Sequence, residues 1–190
     1  MIQSKNDYRY YLEADKRALG ITKKYPSFFE DEIWKFERLL RKIEFYTNCR
    51  NRSFWKFYLF YLRWRLHNQS IKLGFTISQN IFGPGLCIAH HGTIVINDSV
   101  TIGANCRIHT CVNIGTAAGP QELVPKIGNN VYIGPGAKIF GDIQIADGIA
   151  IGANAVVNKS FLEPGITIAG IPAKKISDHG SEGLLTKGTE

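Results

Sequence analysis

The chain has 190 residues, 44% of them hydrophobic, which is enough for one domain with a substantial core. Its formal net charge of +7 could attract nucleic acid, an anionic surface or a phosphate-rich ligand. The N-terminus, MIQSKNDYRYYLEADKRALG, lacks the apolar core of a signal peptide, and no stretch reaches the roughly 18 uncharged apolar residues of a membrane span. The four cysteines form no CxxC pair, which predicts reduced thiols and a cytoplasmic protein.

Residues 1–70 are rich in aromatic and charged side chains and predict an α-helical N-terminal region. Residues 5–18 predict a first helix. Ser27 followed by Glu30 fits a capping box at the start of a second helix. The apolar residues of that helix recur at helical spacing: Ile33, Phe36, Leu40 and Ile43.

Residues 53–67 predict a third helix that is rich in aromatics and basic at its end. A helix of this composition can attach to a membrane surface. The alternative, which we favour, is that its aromatic residues pack against the other helices or against a sister subunit.

Residues 71–176 are rich in Gly, Ile, Val, Ala and Asn, and one apolar column recurs every six residues. Its members are Ile96, Ile102, Ile108, Ile114, Ile127, Ile133, Ile139, Ile145, Ile151 and Val157. A period of six fits neither a helix nor an alternating strand, but it fits a parallel β-helix whose three-sided coil takes three hexads. The thirteen-residue interval from Ile114 to Ile127 breaks the period. Residues 115–126 therefore predict a loop that leaves the coil, and residues 177–190 predict a polar, flexible tail.

Two adjacent histidines, His90 and His91, lie in the apolar run LCIAHHGTIVIN. Neighbouring residues of an extended strand point to opposite faces, so these two imidazoles cannot easily share one metal ion. An imidazole that titrates near neutrality can instead take a proton from a hydroxyl.

The segments GLCIAHHGTIVINDSVTIG, VNIGT, KIGNNVYIGPGAKIFGDI, IAIGANAVVNKS and IAGIPAKKI together resemble the left-handed β-helix (hexapeptide-repeat) acyltransferases, and most of all their serine acetyltransferase-like branch. The resemblance covers residues 71–176 and implies a homotrimer, or a dimer of trimers, with acetyl-CoA bound between adjacent β-helices and no metal. It aligns His90 with the catalytic base and places His91 and His109 in a possible acceptor pocket. It assigns acetyl-CoA binding to Gly115, Gly134, Gly136, Gly152, Ala153, Lys174 and Lys175.

The same alignment shows departures from serine acetyltransferases. Ala89 stands before the aligned histidine in place of an aspartate, Thr76 falls at the position of an orienting acid, and Val124 falls at the position of a second histidine. These departures favour a sugar hydroxyl of a polysaccharide building block as acceptor. A true serine O-acetyltransferase is the alternative.

Three further hypotheses compete for the same residues. A zinc carbonic-anhydrase-like site would use His109 in IHTCVNIG, but Ala104 occupies the preceding ligand position. Cys111 could carry an acyl group as a nucleophile, but nothing near it in the sequence activates its thiol. For His109 itself, a solvated strand residue is the interpretation that we favour over the acceptor pocket. A non-catalytic β-helix scaffold is the third, and nucleic-acid binding has only the net charge in its favour.

Overall fold

The computed structural model of the chain describes residues 1–50, 54–118 and 123–190. Within these residues three helices come first, α1 (Lys5–Ala18), α2 (Glu32–Cys49) and α3 (Phe54–Leu73). The predicted first helix has the observed bounds of α1, which begins after Ser4, whose side chain accepts a hydrogen bond from the Asp7 backbone N–H.

The second helix begins differently from the prediction. Asp31 is its N-cap, with a left-handed backbone (φ 64°) and no side-chain cap of the helix. Its carboxylate instead accepts a 2.7 Å hydrogen bond from the Ser27 backbone N–H and pairs with Lys23. The predicted Ser27–Glu30 capping box is therefore wrong, because the acid four residues after Ser27 bonds back to the preceding loop.

The third helix runs six residues beyond the predicted end at His67 and finishes at Leu73, before Gly74 with φ 80°. The helical region therefore extends past the predicted boundary at residue 70, and the predicted start of α3 at residue 53 lies outside the described residues. No helix in the described parts of the chain combines the length and the apolar character needed to cross a bilayer.

Short strands follow the helices from Phe75 onward. They are β1 (Phe75–Thr76), β2 (Cys87–Ile88), β3 (Ile94–Ile96), β4 (Thr101–Ile102), β5 (Arg107–Ile108), β6 (Val112–Gly115), β7 (Lys126–Ile127), β8 (Tyr132–Ile133), β9 (Lys138–Phe140), β10 (Gln144–Ile145), β11 (Ala150–Ile151), β12 (Val156–Val157), β13 (Thr167–Ala169) and β14 (Lys174–Ser177). They form three sheets: sheet I (β1-β3-β6-β9-β12), sheet II (β4-β7-β10) and sheet III (β2-β5-β8-β11-β13-β14). Each sheet forms one side of a three-sided coil, and all pairs are parallel except β13 with β14.

The six-residue column points into the coil. Ile108, Ile133 and Ile151 pair in register across sheet III, and each is fully buried. Every turn of the chain therefore stacks a branched side chain on the one before, which is how short strands obtain a continuous core. The predicted parallel β-helix is confirmed. Of the predicted loop 115–126, Gly115 ends β6 and Lys126 begins β7, and residues 119–122 lie outside the described residues.

The first coil has no preceding coil to satisfy its backbone, and buried charged side chains of α1 and α2 do so instead. Asp15 accepts hydrogen bonds from the backbone N–H groups of residues 85 and 86, at 2.9 and 2.8 Å. Glu44 accepts from the backbone N–H of residue 80, and Glu37 from that of Ile88 at 3.0 Å. Arg41 donates to the carbonyls of residues 82 and 83 and pairs with Asp15 at 2.7 Å. An unpaired buried backbone group is costly, so these contacts attach the helices to the coil.

Residues 178–190 return along the corner between sheets II and III. Ser181 is buried, and its hydroxyl donates to the Asn130 carbonyl. The Gly188 backbone N–H donates to Asn105 Oδ1 at 3.0 Å, one end of a hydrogen-bonded pair of asparagines, Asn105 and Asn130. This packing corrects the expectation of a flexible tail, because polar corner side chains supply partners that the tail's own sequence does not reveal.

Candidate active site at the first corner of the coil

His90 lies at the corner where the chain turns from sheet III to sheet I. Its strand, β2, is the edge strand of sheet III, and the Ala89 backbone N–H donates to the Ile108 carbonyl at 2.9 Å. The next residue, His90, has left the ladder and is exposed, as is His91. The corner thus presents an imidazole to solvent on a rigid sheet edge, a geometry suited to a catalytic group.

Three rings from successive coils form a row beside this corner. The centroids of His90 and His109 are 6.0 Å apart, and those of His109 and Tyr132 are 5.1 Å apart. The registers of β2, β5 and β8 stack these coils, with Cys87 paired to Arg107 and Arg107 to Tyr132. Tyr132 is therefore in register with Arg107, and its ring reaches His109 two residues further along the neighbouring strand. Tyr132 was missed from the sequence, although its place directly before the inward Ile133 marks it as an outward residue.

His109 is half-buried rather than solvated as the sequence suggested for a strand residue. Its Nε2 atom is buried and has no hydrogen-bond partner within the described chain, and the same holds for Arg107 Nε. Burial lowers the pKa of His109, and the nearby positive charge of Arg107 and then His90 lower it further. The ring is therefore held neutral, with one nitrogen free for a ligand hydroxyl or carbonyl.

The other corner residues contribute less to the row. His91 has no contact with another aromatic or imidazole ring within the described chain, so it lies outside the row that His90 and His109 form. Cys111 is exposed, has a left-handed backbone (φ 62°) and is one of four free cysteines in the described chain. Its carbonyl accepts a hydrogen bond from Lys138, which fixes the corner and not the thiol.

A pocket of about 500 Å³ opens on the sheet I side of the same corner. It reaches Thr93, three residues after His90, and Thr76, the residue aligned with an orienting acid. Its remaining polar lining consists of His67, Ser70 and Ser78, and no carboxylate lines it in the described chain. The pocket therefore offers hydroxyl groups and one imidazole to an acceptor.

Three of the predicted acetyl-CoA-binding glycines are required by the fold of the coil. A Cβ on Gly134 would lie 2.7 Å from the Ile151 carbonyl oxygen, and one on Gly152 would lie 2.8 Å from the Ala169 Cβ. Gly136 has φ 78°, and a Cβ there would meet the side-chain oxygen of Asn154. These three positions need glycine for the fold alone.

Gly115 is different, because nothing in the described chain requires it. Its φ is not left-handed, and a Cβ there would meet only the Asn97 Cβ at an ordinary 3.7 Å. Ala153, by contrast, is exposed at a corner of the coil. Coil stacking therefore does not explain why residue 115 is a glycine, whereas an open backbone at that position does.

The two predicted phosphate-binding lysines lie on β14, at the far end of sheet III from His90. At a strand spacing of about 4.8 Å, the two ends of this six-stranded sheet are roughly 24 Å apart. Lys175 already pairs with Glu163 and Asp178, each at 2.6 Å, and these hydrogen bonds raise its pKa. Lys174 is exposed and has no carboxylate partner within the described chain, which makes it the freer of the two cations.

The remaining predicted features are located as follows. Val124 is partly buried against the core at the end of the loop, whose residues 119–122 lie outside the described chain. Ala104, from the alternative zinc pattern, donates its backbone N–H to Asn129 at the opposite corner. No group of three His, Cys, Asp or Glu side chains is arranged for a metal ion among the described residues.

Comparisons with known proteins agree with this geometry. The profile of the family described as bacterial transferase hexapeptide (six repeats) matches residues 125–159. Serine acetyltransferase of Synechococcus elongatus is 35% identical over 99 residues, which cover 52% of this chain and 40% of that protein. Serine acetyltransferase of Helicobacter pylori is 41% identical over 96 residues, which cover 50% and 56%. The match spans about half the length of these curated relatives.

Solved structures match over more of the chain. Serine acetyltransferase of Brucella abortus has a TM-score of 0.71 at 27% identity and covers 93% of this chain and 72% of that one. Its complex with coenzyme A has a TM-score of 0.67 at 26% identity, with 92% and 68% covered. Serine acetyltransferase of Neisseria gonorrhoeae in complex with serine has a TM-score of 0.70 at 26% identity, with 92% and 71% covered.

The stacked coils define a left-handed parallel β-helix preceded by helices, and residues 125–159 of it are similar to the bacterial transferase hexapeptide family. Within that class the chain is similar to the serine acetyltransferases over both its helical region and its coil. The resemblance inferred from the sequence motifs is confirmed.

Proposed function

We propose that this protein is an acetyl-CoA-dependent O-acetyltransferase in which His90 is the general base. The observation that carries the proposal is an exposed imidazole on a rigid corner, beside the half-buried ring of His109. The similarity to serine acetyltransferases, including one solved with coenzyme A, supports both the reaction class and the co-substrate.

The reaction needs no covalent enzyme intermediate. Neutral His90 takes the proton from the acceptor hydroxyl as its oxygen attacks the thioester carbonyl carbon. A tetrahedral oxyanion forms, which a backbone N–H stabilises. The C–S bond then breaks, the acetyl group stays on the acceptor oxygen, and the proton on His90 passes to the leaving thiolate.

His109 has a supporting part in this scheme. Its neutral ring lies beside His90 and avoids placing a second positive charge next to the imidazolium that forms during the reaction. Its free Nε2 and the pocket hydroxyls are available to bind the acceptor. We assign His91 and Cys111 no step.

The co-substrate extends along sheet III in this proposal. Its reactive end lies at the His90 corner, and Lys174 contacts the phosphates. Gly115 lies on β6 of sheet I, so its open backbone meets the pantetheine arm only from the neighbouring subunit of the proposed trimer. Lys175 can contribute only if a phosphate displaces one of its two carboxylates. The assembly is a homotrimer by resemblance, and sedimentation velocity of the full chain tests it.

For the acceptor, the names of the relatives support L-serine over the sugar hydroxyl that the sequence favoured. A sugar stays the second candidate for one reason: the pocket that reaches Thr76 and Thr93 has no carboxylate in its described lining to pair with the ammonium group of an amino acid. A pocket lining rich in hydroxyl groups suits an uncharged polyol as well as it suits serine.

Two measurements test the proposal. Acetyl-CoA at millimolar concentration raises the Tm of the full chain if it binds the native state; no shift would contradict the proposal. Thiol release from acetyl-CoA is then measured with L-serine and with a panel of sugars and nucleotide sugars. The fastest acceptor identifies the substrate class, and release with none of them would contradict the activity.

A further inference from the structure

Helix α3 exposes an apolar face to solvent, opposite the face with which it packs. Leu62, Leu66 and Leu73 are buried on the packing side. Because a helix turns about 100° per residue, the exposed apolar side chains fall within an arc of roughly 120° on the other side. We call them the aromatic stripe: Phe54, Phe57, Phe60, Tyr61, Trp64 and Ile71.

The stripe is large and mostly uncovered by the described residues, which contact it mainly through Trp55 and Tyr58 of the same helix. Phe57 is 86% exposed, Phe60 74% and Trp64 56%. The sequence interpretation that these aromatics pack against the other helices therefore does not hold for the stripe. A contiguous exposed apolar face of this kind marks an interaction surface.

Cations flank the stripe on both sides. With the same turn per residue, Lys56 and Arg63 lie along one edge, and Arg65 and Lys72 lie along the other. The helix, FWKFYLFYLRWRLHNQSIKL, contains no Asp or Glu. An apolar stripe bordered by Lys and Arg is the pattern of a helix that lies in a membrane interface.

A cationic pocket adjoins one edge of the stripe. It has a volume of about 250 Å³, lies between the three helices, and is lined by Tyr8, Pro26, Lys35, Arg38, Leu39, Lys42 and Arg65. Arg65 therefore belongs both to the pocket and to the border of the stripe. Lys35 lies 3.7 Å from Glu32, whereas Arg38, Lys42 and Arg65 form no ion pair within the described chain. Such a pocket attracts a phosphate group.

We propose that α3 and the cationic pocket form a binding surface for an anionic lipid bilayer. The stripe inserts between the lipids at the headgroup boundary, and the flanking cations and the pocket contact lipid phosphates. The helix lies in the plane of the interface and does not cross the bilayer. Apart from Ile71, which also lines the pocket that reaches Thr93, this surface shares no residue with the candidate active site, and the proposal does not depend on the proposed reaction.

Charge favours a lipid surface over a second copy of the chain. Two α3 helices paired stripe to stripe would bring their flanking cations together, with no acid on either helix to neutralise them. A free phosphate would explain the pocket but not the exposed aromatics beside it. An anionic bilayer satisfies both features.

The test measures sedimentation of the full chain with vesicles, either of phosphatidylcholine alone or of an equal mixture with phosphatidylglycerol. We expect binding only to the anionic vesicles and release at high salt. Each Lys or Arg near such a surface contributes roughly a fivefold change in binding, so Arg38→Gln with Lys42→Gln should weaken partitioning about 25-fold. Phe57→Ser with Trp64→Ser should weaken it at least about tenfold, because inserted apolar area is lost.

Matched controls lie on the last coils of the β-helix. Leu162 is 68% exposed and Lys159 is exposed. Leu162→Ser therefore removes an exposed apolar side chain, and Lys159→Gln removes an exposed positive charge, without altering α3. Both should bind vesicles like the unaltered chain. Trp64 fluorescence gives a second readout: a blue shift with anionic vesicles that Trp64→Phe removes while binding persists.

Three outcomes would overturn the proposal. Anionic vesicles fail to bind the chain, or the stripe and pocket variants bind as well as the controls. Alternatively, inorganic phosphate protects the chain against unfolding while vesicles do not bind it. A smaller oligomer in the stripe variants, without vesicle binding by the unaltered chain, would assign the stripe to a second copy instead.

Discussion

The Nε2 atom of His109 is buried without a hydrogen-bond partner in the described chain, and it is the most informative single atom near the candidate site. A buried polar atom without a partner is rare in native proteins and marks a place where a ligand or water completes the hydrogen bond. The ring also contacts both His90 and Tyr132. The row of rings is thus built to receive a polar group from outside the chain.

The lowered pKa of His109 predicts a pH dependence of stability. The folded state binds this proton more weakly than the unfolded state, whose ordinary value is 6.5. Stability from this residue is therefore present above that value and is lost as the pH falls through the lowered pKa. We expect Tm to fall between neutral and mildly acidic pH, and His109→Gln to flatten that fall. His179→Gln, at an exposed tail position, is the control; an equal fall in all three proteins would contradict the assignment.

Alanine substitutions at Gly115 and Gly134 distinguish a glycine that binds the co-substrate from a glycine that the stacking of coils requires. Gly115→Ala has room for its methyl group, so unfolding free energy should change by less than about 0.5 kcal/mol. If the open backbone receives the pantetheine arm, KM for acetyl-CoA should rise about tenfold or more. Gly134→Ala meets backbone at 2.7 Å and should cost about 1–3 kcal/mol of stability. An unchanged KM in Gly115→Ala would remove that residue from the site.

The helices and the coil are joined by the buried charges of α1 and α2. Arg41 is fully buried and contacts Asp15, Glu44 and two carbonyls of the first coil. Burial raises the pKa of Glu37 well above its ordinary value, with Asp15 adding to the effect, while its carboxyl accepts a hydrogen bond from the Ile88 backbone N–H. The edge strand that leads to His90 is therefore positioned by the N-terminal helices.

Removing Arg41 should leave two buried carboxylates without their partner. We expect Arg41→Met to lower the free energy of unfolding by about 3–5 kcal/mol, measured by chemical denaturation. The exposed pair of Lys23 and Asp31 is the control, because Lys23→Met should cost no more than about 1 kcal/mol. Equal, small effects of both variants would show that the buried network does not fasten the helices to the coil.

Local periodicity predicted the elements, and contacts distant in sequence decided where they begin and end. The six-residue column from Ile96 to Val157 marked the coil because each inward position repeats. The start of α2 could not be read in the same way, because Asp31 is recruited by the Ser27 backbone and by Lys23. The tail was missed for a similar reason, since its partners at Asn105 and Asn130 lie far back in the chain.

For the molecule as a whole, the repeat spacing predicted only some of the contacts between residues of the candidate site. The hexads place His109 one coil after Ala89 and so beside His90. They place Tyr132 one coil after Arg107, so the contact between the rings of His109 and Tyr132 depends on side-chain direction as well as on register. The spacing could not show that Lys175 is engaged by Glu163, because that pair forms between β14 and the connection from β12 to β13. Nor could the sequence show the exposed aromatic stripe on α3, because it does not tell which face of that helix packs against the rest of the described chain.

The most direct test of the account compares three histidine variants in one assay of thiol release from acetyl-CoA with the best acceptor. Loss of a general base typically costs 10²–10⁴-fold in rate. We therefore predict that His90→Ala lowers kcat about 10²–10⁴-fold at unchanged Tm, and that His109→Gln lowers it less. His91→Ala should stay within about tenfold of the unaltered chain. A His90→Ala variant that keeps full activity, or a His91→Ala variant that loses it, would contradict the assignment of the base.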